Sequence, residues 1–197
     1  TLDGSSAASD VYKRQGIVDS GNVAVAGNVT LTTDAGNGLI NMGTLQQSAG
    51  DLILNTNGNG AATVVNNAAI DFGTSNVGGA LNVTASAGTI TQNGGALTVA
   101  GTSAFTTSTN DQAITLSNAT NALTGAVAFT TGGTTGNVVI DNGTTALDLA
   151  ASTINGTLTA TGGASAGIVD SGNVVVAGNV TLTTDAGHGV INMGTLQ

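Results

Sequence analysis

The stretch GIVDSGNVAVAGNVTLTTDAGNGLINMGTLQ, from Gly16 to Gln46, returns as GIVDSGNVVVAGNVTLTTDAGHGVINMGTLQ from Gly167 to Gln197. Only Ala24/Val175, Asn37/His188 and Leu39/Val190 differ. The offset of 151 residues is too long for one supersecondary unit, so it is read as a multiple of a shorter period. That period shows as triplets with apolar first and third positions. Val29 and Leu31 are followed by Leu52 and Leu54, Ile70 and Phe72, Ile114 and Leu116, Val138 and Ile140, Leu158, and then Val180 and Leu182. Most steps are about 20 to 23 residues, and about seven of them fill the long interval. The stretch around Leu81, Val83, Leu97 and Val99 is less regular.

Period-2 alternation places every second side chain on one face of a strand. Between the triplets lie corners rich in Gly and Asn, such as Thr56–Gly60, Gln92–Gly95 and Thr130–Gly133. These residue types tolerate the positive-φ turns such corners need. One coil cannot bury its apolar side alone, whereas stacked coils enclose it and pair their backbones at a spacing of about 4.8 Å. The absence of Pro fits, because Pro would remove a ladder hydrogen bond from any central strand. The expected fold is all-β: a parallel β-helix, right-handed because no contiguous hexapeptide repeat is present, over residues 16–197. A string of immunoglobulin-like sandwiches fits less well. Such domains run to about 100 residues and carry aromatic landmarks, and the aromatics here are Tyr12, Phe72, Phe105 and Phe129.

Residues 1–15 break the pattern. If the first copy continued upstream, Ser5–Gln15 would match Gly156–Ala166, and it does not. Ser5–Gln15 resembles an in-frame translation of the transposon end used in tagmentation sequencing adapters, with DVYKRQ read as GAT-GTG-TAT-AAG-AGA-CAG. Residues 1–15 are therefore expected to be a non-native leader that forms no coil continuous with Gly16. They hold the sole Lys, Arg and Tyr, namely Lys13, Arg14 and Tyr12.

Charge and composition narrow the chemistry. All eleven acidic residues are Asp, and the formal net charge is −9. A chain this poor in cations is not expected to bind nucleic acid, whose phosphates need Lys and Arg. With no Cys there is no disulfide framework and no thiolate metal site. No apolar run reaches the roughly 20 residues of a spanning helix. Asp141 with Asp148, and Asp19 with Asp34, are the candidate carboxylate pairs for glycoside hydrolysis. Inverting enzymes hold such groups about 6.5 to 9.5 Å apart. Asp at strand ends and turns more commonly bonds the local backbone. The nonapeptide calcium pattern is absent. Its nearest approach, TDAGNG at Thr33–Gly38, becomes TDAGHG at Thr184–Gly189, where His188 replaces a possible oxygen ligand. His188 has no second His or Cys with which to hold a transition metal. No catalytic, cofactor or metal residue is therefore assigned, no cofactor is expected, and the chain is read as a non-enzyme. The T-x-T sequences at Thr30–Thr32, Thr89–Thr91 and Thr157–Thr159 do not recur once per coil, as a flat ice-binding face requires. Asn-x-Thr sequons stand at Asn28, Asn82, Asn118, Asn142, Asn155 and Asn179.

The phrases GNVTLTTDAG (Gly27–Gly36), AGTITQNGGALTVAGTSAFTT (Ala87–Thr107) and ALDLAASTINGTLTATGG (Ala146–Gly163) carry a family likeness. They resemble filamentous-haemagglutinin-like exoproteins and related β-strand-repeat adhesins of Gram-negative bacteria. The likeness is one of repeat style. It implies export by a two-partner or autotransporter route, with an outer-membrane secretion partner, and display at the cell surface. This segment would be a non-catalytic shaft contacting surface glycans or proteins of a host or neighbouring cell, with bare ends prone to fray or associate. The rival expectations are a carbohydrate-active β-helix enzyme and an ice-binding or S-layer-like sheet.

Overall fold

The computed structural model describes residues 16–34, 36–163, 166–185 and 189–197. The expected break before Gly16 and the residue His188 lie outside the described residues. Among the described residues every regular element is a β-strand, and the strands stack in parallel as a β-solenoid of about eight turns. One sheet has 12 strands and the other 11, and the chain passes from one to the other within each coil.

The strands form where the alternation is cleanest. Asp51–Asn55 buries Leu52 and Leu54 and turns Asp51, Ile53 and Asn55 outward. On the opposite sheet Ala62–Asn66 buries Ala62, Val64 and Asn66. Inward residues stack in register from coil to coil. In the larger sheet one ladder runs Ile17, Ile40, Ala62, Leu81, Ser103, Val127, Leu149 and Asp170. These are seven steps of 19 to 24 residues, a wider range than the expected 20 to 23. The shortest step, Ala62 to Leu81, turns through the adjacent glycines Gly78 and Gly79. The longest, Ser103 to Val127, carries the eight-residue strand Ser103–Asn110 with a register shift after Thr107.

The two sequence copies lie seven coils apart with a shift of two residues. Ile168, the counterpart of Ile17, pairs with Leu147 and not with Leu149. The other sheet shifts equally. The ladder from Val29 passes through Leu52 and Phe72 to Gln92, whereas that from Val180 leads back through Leu158, Val138 and Ile114 to Ile90. A shift of two preserves which side chains point inward.

The core is a column of Ile, Leu, Val and Ala interrupted by three aromatic rings. Phe105 and Phe129 are register partners and stack at 5.8 Å, while Phe72 meets Phe105 edge-on at 6.3 Å. Each fully enclosed side chain of this size contributes about 1.5 to 3 kcal/mol relative to exposure. Corners pack as tightly as strands. Gly60, Gly79, Gly101 and Gly125 form a column, and a Cβ placed on Gly101 would lie 2.5 Å from the Gly79 carbonyl carbon. Thr33 and Thr56 at this corner, and Thr131 where the chain returns from the larger sheet to the smaller, each donate a hydroxyl hydrogen across the turn, to Gly38, Gly60 and Gly136 respectively. Each of these hydroxyls also accepts an N–H from the next coil, from Asn57, Gly78 and Asn155.

Candidate functional surface

Four of the nine carboxylates among the described residues, Asp19, Asp111, Asp141 and Asp170, fasten turns. Asp19 Oδ1 accepts from Gly43 N–H at 3.0 Å, and Oδ2 accepts from Thr44 N–H at 2.6 Å and Thr44 Oγ1 at 2.8 Å. Asp170 repeats this arrangement on Gly194 and Thr195, all at 2.7 Å. Asp111, at φ 63°, takes the N–H groups of Thr134 and Thr135 on Oδ1 at 2.8 and 2.9 Å. Donated hydrogen bonds stabilise the charged form. The backbone N–H of Thr44 holds Asp19 below the ordinary carboxylate value, as that of Thr134 does for Asp111; for Asp170 the Thr195 hydroxyl leads.

The candidate acid pairs are not built as pairs. Asp141 ends a strand of one sheet and accepts from Gly143 N–H at 2.9 Å, while Asp148 lies in a strand of the other sheet with Oδ1 enclosed and unpartnered. Asp19 is taken up by the Gly43–Thr44 turn, and Asp34 follows a strand of the opposite sheet. Register does stack two carboxylates that the spacing did not single out: Asp51 sits directly beside Asp71. Asn93 Nδ2 lies 3.4 Å from Asp51, and Thr91 Oγ1 donates to Asp71 at 3.1 Å. No group of three or more His, Cys, Asp or Glu converges among the described residues.

The outward column beyond that pair reads Thr91, Thr115, Val139, Thr159 and Thr181, so threonines recur without forming an unbroken row. The sequons divide by burial. Asn142 is fully buried and Asn155 donates its amide to Thr131 O at 2.6 Å, whereas Asn82 and Asn179 are exposed.

Internal amides are the polar feature that sequence reasoning missed. Asn66 Oδ1 and Nδ2 pair with Gln47 N–H and C=O at 2.8 and 2.9 Å. Asn142 does the same to Leu123 at 2.8 and 3.0 Å. Asn121 joins three coils, accepting from Leu97 N–H at 2.8 Å and from Gln92 Nε2 at 2.6 Å while donating to Leu116 and Asp141 carbonyls. Each lies beside a Gly- or Asn-rich corner, where the same letter in sequence reads as a turn residue.

On the outside, an uncharged depression of about 230 Å³ is lined by Asn22, Thr44, Gln46, Asn67 and Ser86 over Leu45 and Val65. A shallower one of about 420 Å³ continues from it past Ala24, Val25 and Ser48, sharing Gln46 and Asn67. Neutral amides and hydroxyls above an apolar floor suit hydrogen bonding to uncharged, hydroxyl-rich ligands.

A family model described as repeats of unknown function (DUF5649) matches residues 59–130 and 135–195. The chain belongs to this family. Of the two stretches matched by the DUF5649 repeats, the first contains Asn121 and the second Asn142 and Asp170. No curated protein and no solved structure matches the chain.

Proposed function

We propose that this solenoid is a structural and adhesive shaft segment of a large exoprotein displayed on a bacterial surface. The observation that supports this most directly is the unbroken stack. Asp19, Asp111, Asp141 and Asp170 are committed to turns, and its concave outer surface around Gln46 and Asn67 is lined by neutral polar side chains. Contacts of this kind are individually weak and gain strength by repetition along a fibre. Likeness to filamentous-haemagglutinin-type adhesins supplies the remaining expectations: export with an outer-membrane partner, and glycans or proteins of another cell as ligands.

A test uses the purified chain on immobilised neutral and acidic polysaccharides, with reducing ends assayed in the supernatant. Retention that falls in a Gln46→Ala/Asn67→Ala variant, without release of reducing ends, fits the shaft reading. Time-dependent release of reducing sugar would replace it with the carbohydrate-active reading, for which the Asp51–Asp71 pair is the place to look.

A further inference from the structure

Asn-Gly pairs begin at Asn37, Asn57, Asn59, Asn93, Asn142 and Asn155. In such a pair the following peptide nitrogen can close on the side-chain carbonyl, because glycine brings no side chain to obstruct the ring and its backbone turns freely. Closure needs a side-chain amide that is free to turn and a peptide group that is free to meet it. The solenoid withholds one or both at five of these pairs. Asn142 is buried as the clamp on Leu123. Asn155 donates its amide to Thr131 O at 2.6 Å, and a Cβ on Gly156 would lie 2.7 Å from the Gly136 carbonyl carbon. Asn37 Oδ1 accepts Asn59 N–H at 2.8 Å. The Gly60 N–H, which would attack Asn59, is committed to Asn57 O at 3.0 Å. Asn57 is exposed, but Gly58 is wedged between coils. A Cβ on Gly58 would collide with the Asn37 side chain, and one on Gly78 would collide with the Gly58 carbonyl oxygen.

Asn93–Gly94 differs. The pair follows the strand Ile90–Gln92 in the middle of the stack, and both residues are exposed. A Cβ on Gly94 would meet nothing within 4 Å. The Gly94 N–H donates no hydrogen bond among the described residues. Its carbonyl, on the far side of the atoms that would react, accepts from Asn118 Nδ2 at 2.7 Å. The Asn93 amide has one polar neighbour, Asp51 Oδ1, 3.4 Å from Nδ2. That contact spans two coils, and the coil between them presents Gly73 there, with no side chain in the way. We infer that Asn93 is a site of self-modification: the Gly94 nitrogen attacks the Asn93 side-chain carbonyl carbon, and water opens the resulting cyclic imide to aspartate or isoaspartate. The Gly94 nitrogen loses its proton to solvent, the bond from the carbonyl carbon to Nδ2 breaks, and that nitrogen leaves as ammonia. Water then adds across one imide C–N bond. The net change is amide plus water to acid plus ammonia, with no oxidant or reductant. The aspartate product sets a carboxylate where a neutral amide stood 3.4 Å from Asp51, next to the stacked Asp51 and Asp71. This face therefore becomes more acidic as the molecule ages.

The test incubates the full-length chain in mildly alkaline buffer, below its melting transition, and in parallel in concentrated urea. Peptide mass mapping of timed samples scores the amide-to-acid change at every Asn-Gly pair. Isoaspartate, which direct hydrolysis of the amide does not yield, marks the imide route. In urea all the pairs should react at comparable rates. In the folded chain Asn93 should convert about tenfold faster than any other pair, the factor set by about 1.4 kcal/mol of extra barrier for opening a clamp or unpacking a corner. Asn93→Gln, which would need a larger ring, should remove the leading acidic species on anion exchange while circular dichroism stays unchanged. Protection of Asn93 in the folded chain to the level of the other pairs overturns the inference. So does a faster reaction at Asn57, or conversion at Asn93 without isoaspartate.

Discussion

Asn66 and Gln47 pair across two coils as though Asn66 carried a second peptide group in its side chain. Its amide oxygen takes the Gln47 N–H at 2.8 Å and its amide nitrogen reaches the Gln47 carbonyl at 2.9 Å, with a further bond to Ala69 O at 2.8 Å. The solenoid thereby continues its backbone ladder through a corner where the main chain turns away. Gln47 in turn places its own side-chain nitrogen 3.0 Å from the carbonyls of both Gly27 and Asp51. Successive coils are thus clamped by amides inside the corner as well as by apolar packing between the sheets.

Asn66→Ala should leave a buried N–H and two carbonyls without partners, costing about 1 to 3 kcal/mol for each group that water cannot reach. Asn66→Asp should cost more than Asn66→Ala, because a buried carboxylate would face the Gln47 and Ala69 carbonyls. Urea unfolding with an unchanged slope reads both values. Asn142→Ala, at the equivalent clamp on Leu123, should fall in the same range.

Gly101 is sterically required. Its N–H bonds Gly79 O at 3.1 Å, and a Cβ there would lie 2.5 Å from the Gly79 carbonyl carbon. Gly101→Ala should therefore push adjacent coils apart and destabilise by more than the ordinary tolerance of a surface site, about 0.5 kcal/mol. Gly21→Ala and Gly27→Ala, where an added Cβ meets nothing within 4 Å, are the matched controls. Melting temperatures of the three variants give the comparison.

Acid should loosen the turns that Asp19, Asp111 and Asp170 fasten. Their folded-state pKa values lie below the ordinary 3.8. The stability they contribute is present above that value and is lost as pH falls below it through the lowered folded values. Asp19→Asn and Asp170→Asn should flatten the acid limb and lower stability at neutral pH, since both carboxylate oxygens accept hydrogen bonds there. Asp111→Asn should lose less. It uses Oδ1 alone for both bonds, and Asn tolerates the positive φ at that position. Stability measured from pH 2 to 7, the range that brackets ordinary carboxylate titration, separates the three variants.

The periodic triplets were legible because they all fall on one sheet. Val29, Leu52, Ile70, Ile114, Val138, Leu158 and Val180 head consecutive strands there, apart from one coil. That coil holds Ile90, whose triplet ends in Gln92, a polar side chain committed to the Asn121 network, so the apolar pattern skips it. Leu81 and Val83 looked irregular because they belong to the other sheet, opposite Ser103 and Phe105. Leu97 and Val99 lie on a third ladder, between Ser75–Val77 and Ala122–Leu123. The surface was less legible. Asp at a strand end or turn reads as bonding its local backbone, but the partners of Asp19 and of Asp170, which ends a strand, lie 24 and 25 residues away, a separation fixed by coil length and not by local motif. Asn142 reads as one sequon among six and is a buried clamp.

One continuous solenoid holds the two sequence copies seven coils apart on the same face. Spin labels on a Thr30→Cys/Thr181→Cys variant of the cysteine-free chain measure this directly by pulsed electron–electron resonance in dilute solution. Both positions face outward on the same sheet. Seven coils at about 4.8 Å predict a single narrow distribution near 34 Å. A broad distribution, or a narrow one centred more than about 10 Å away, the separation of two packed sheets, would contradict the stacked-coil account.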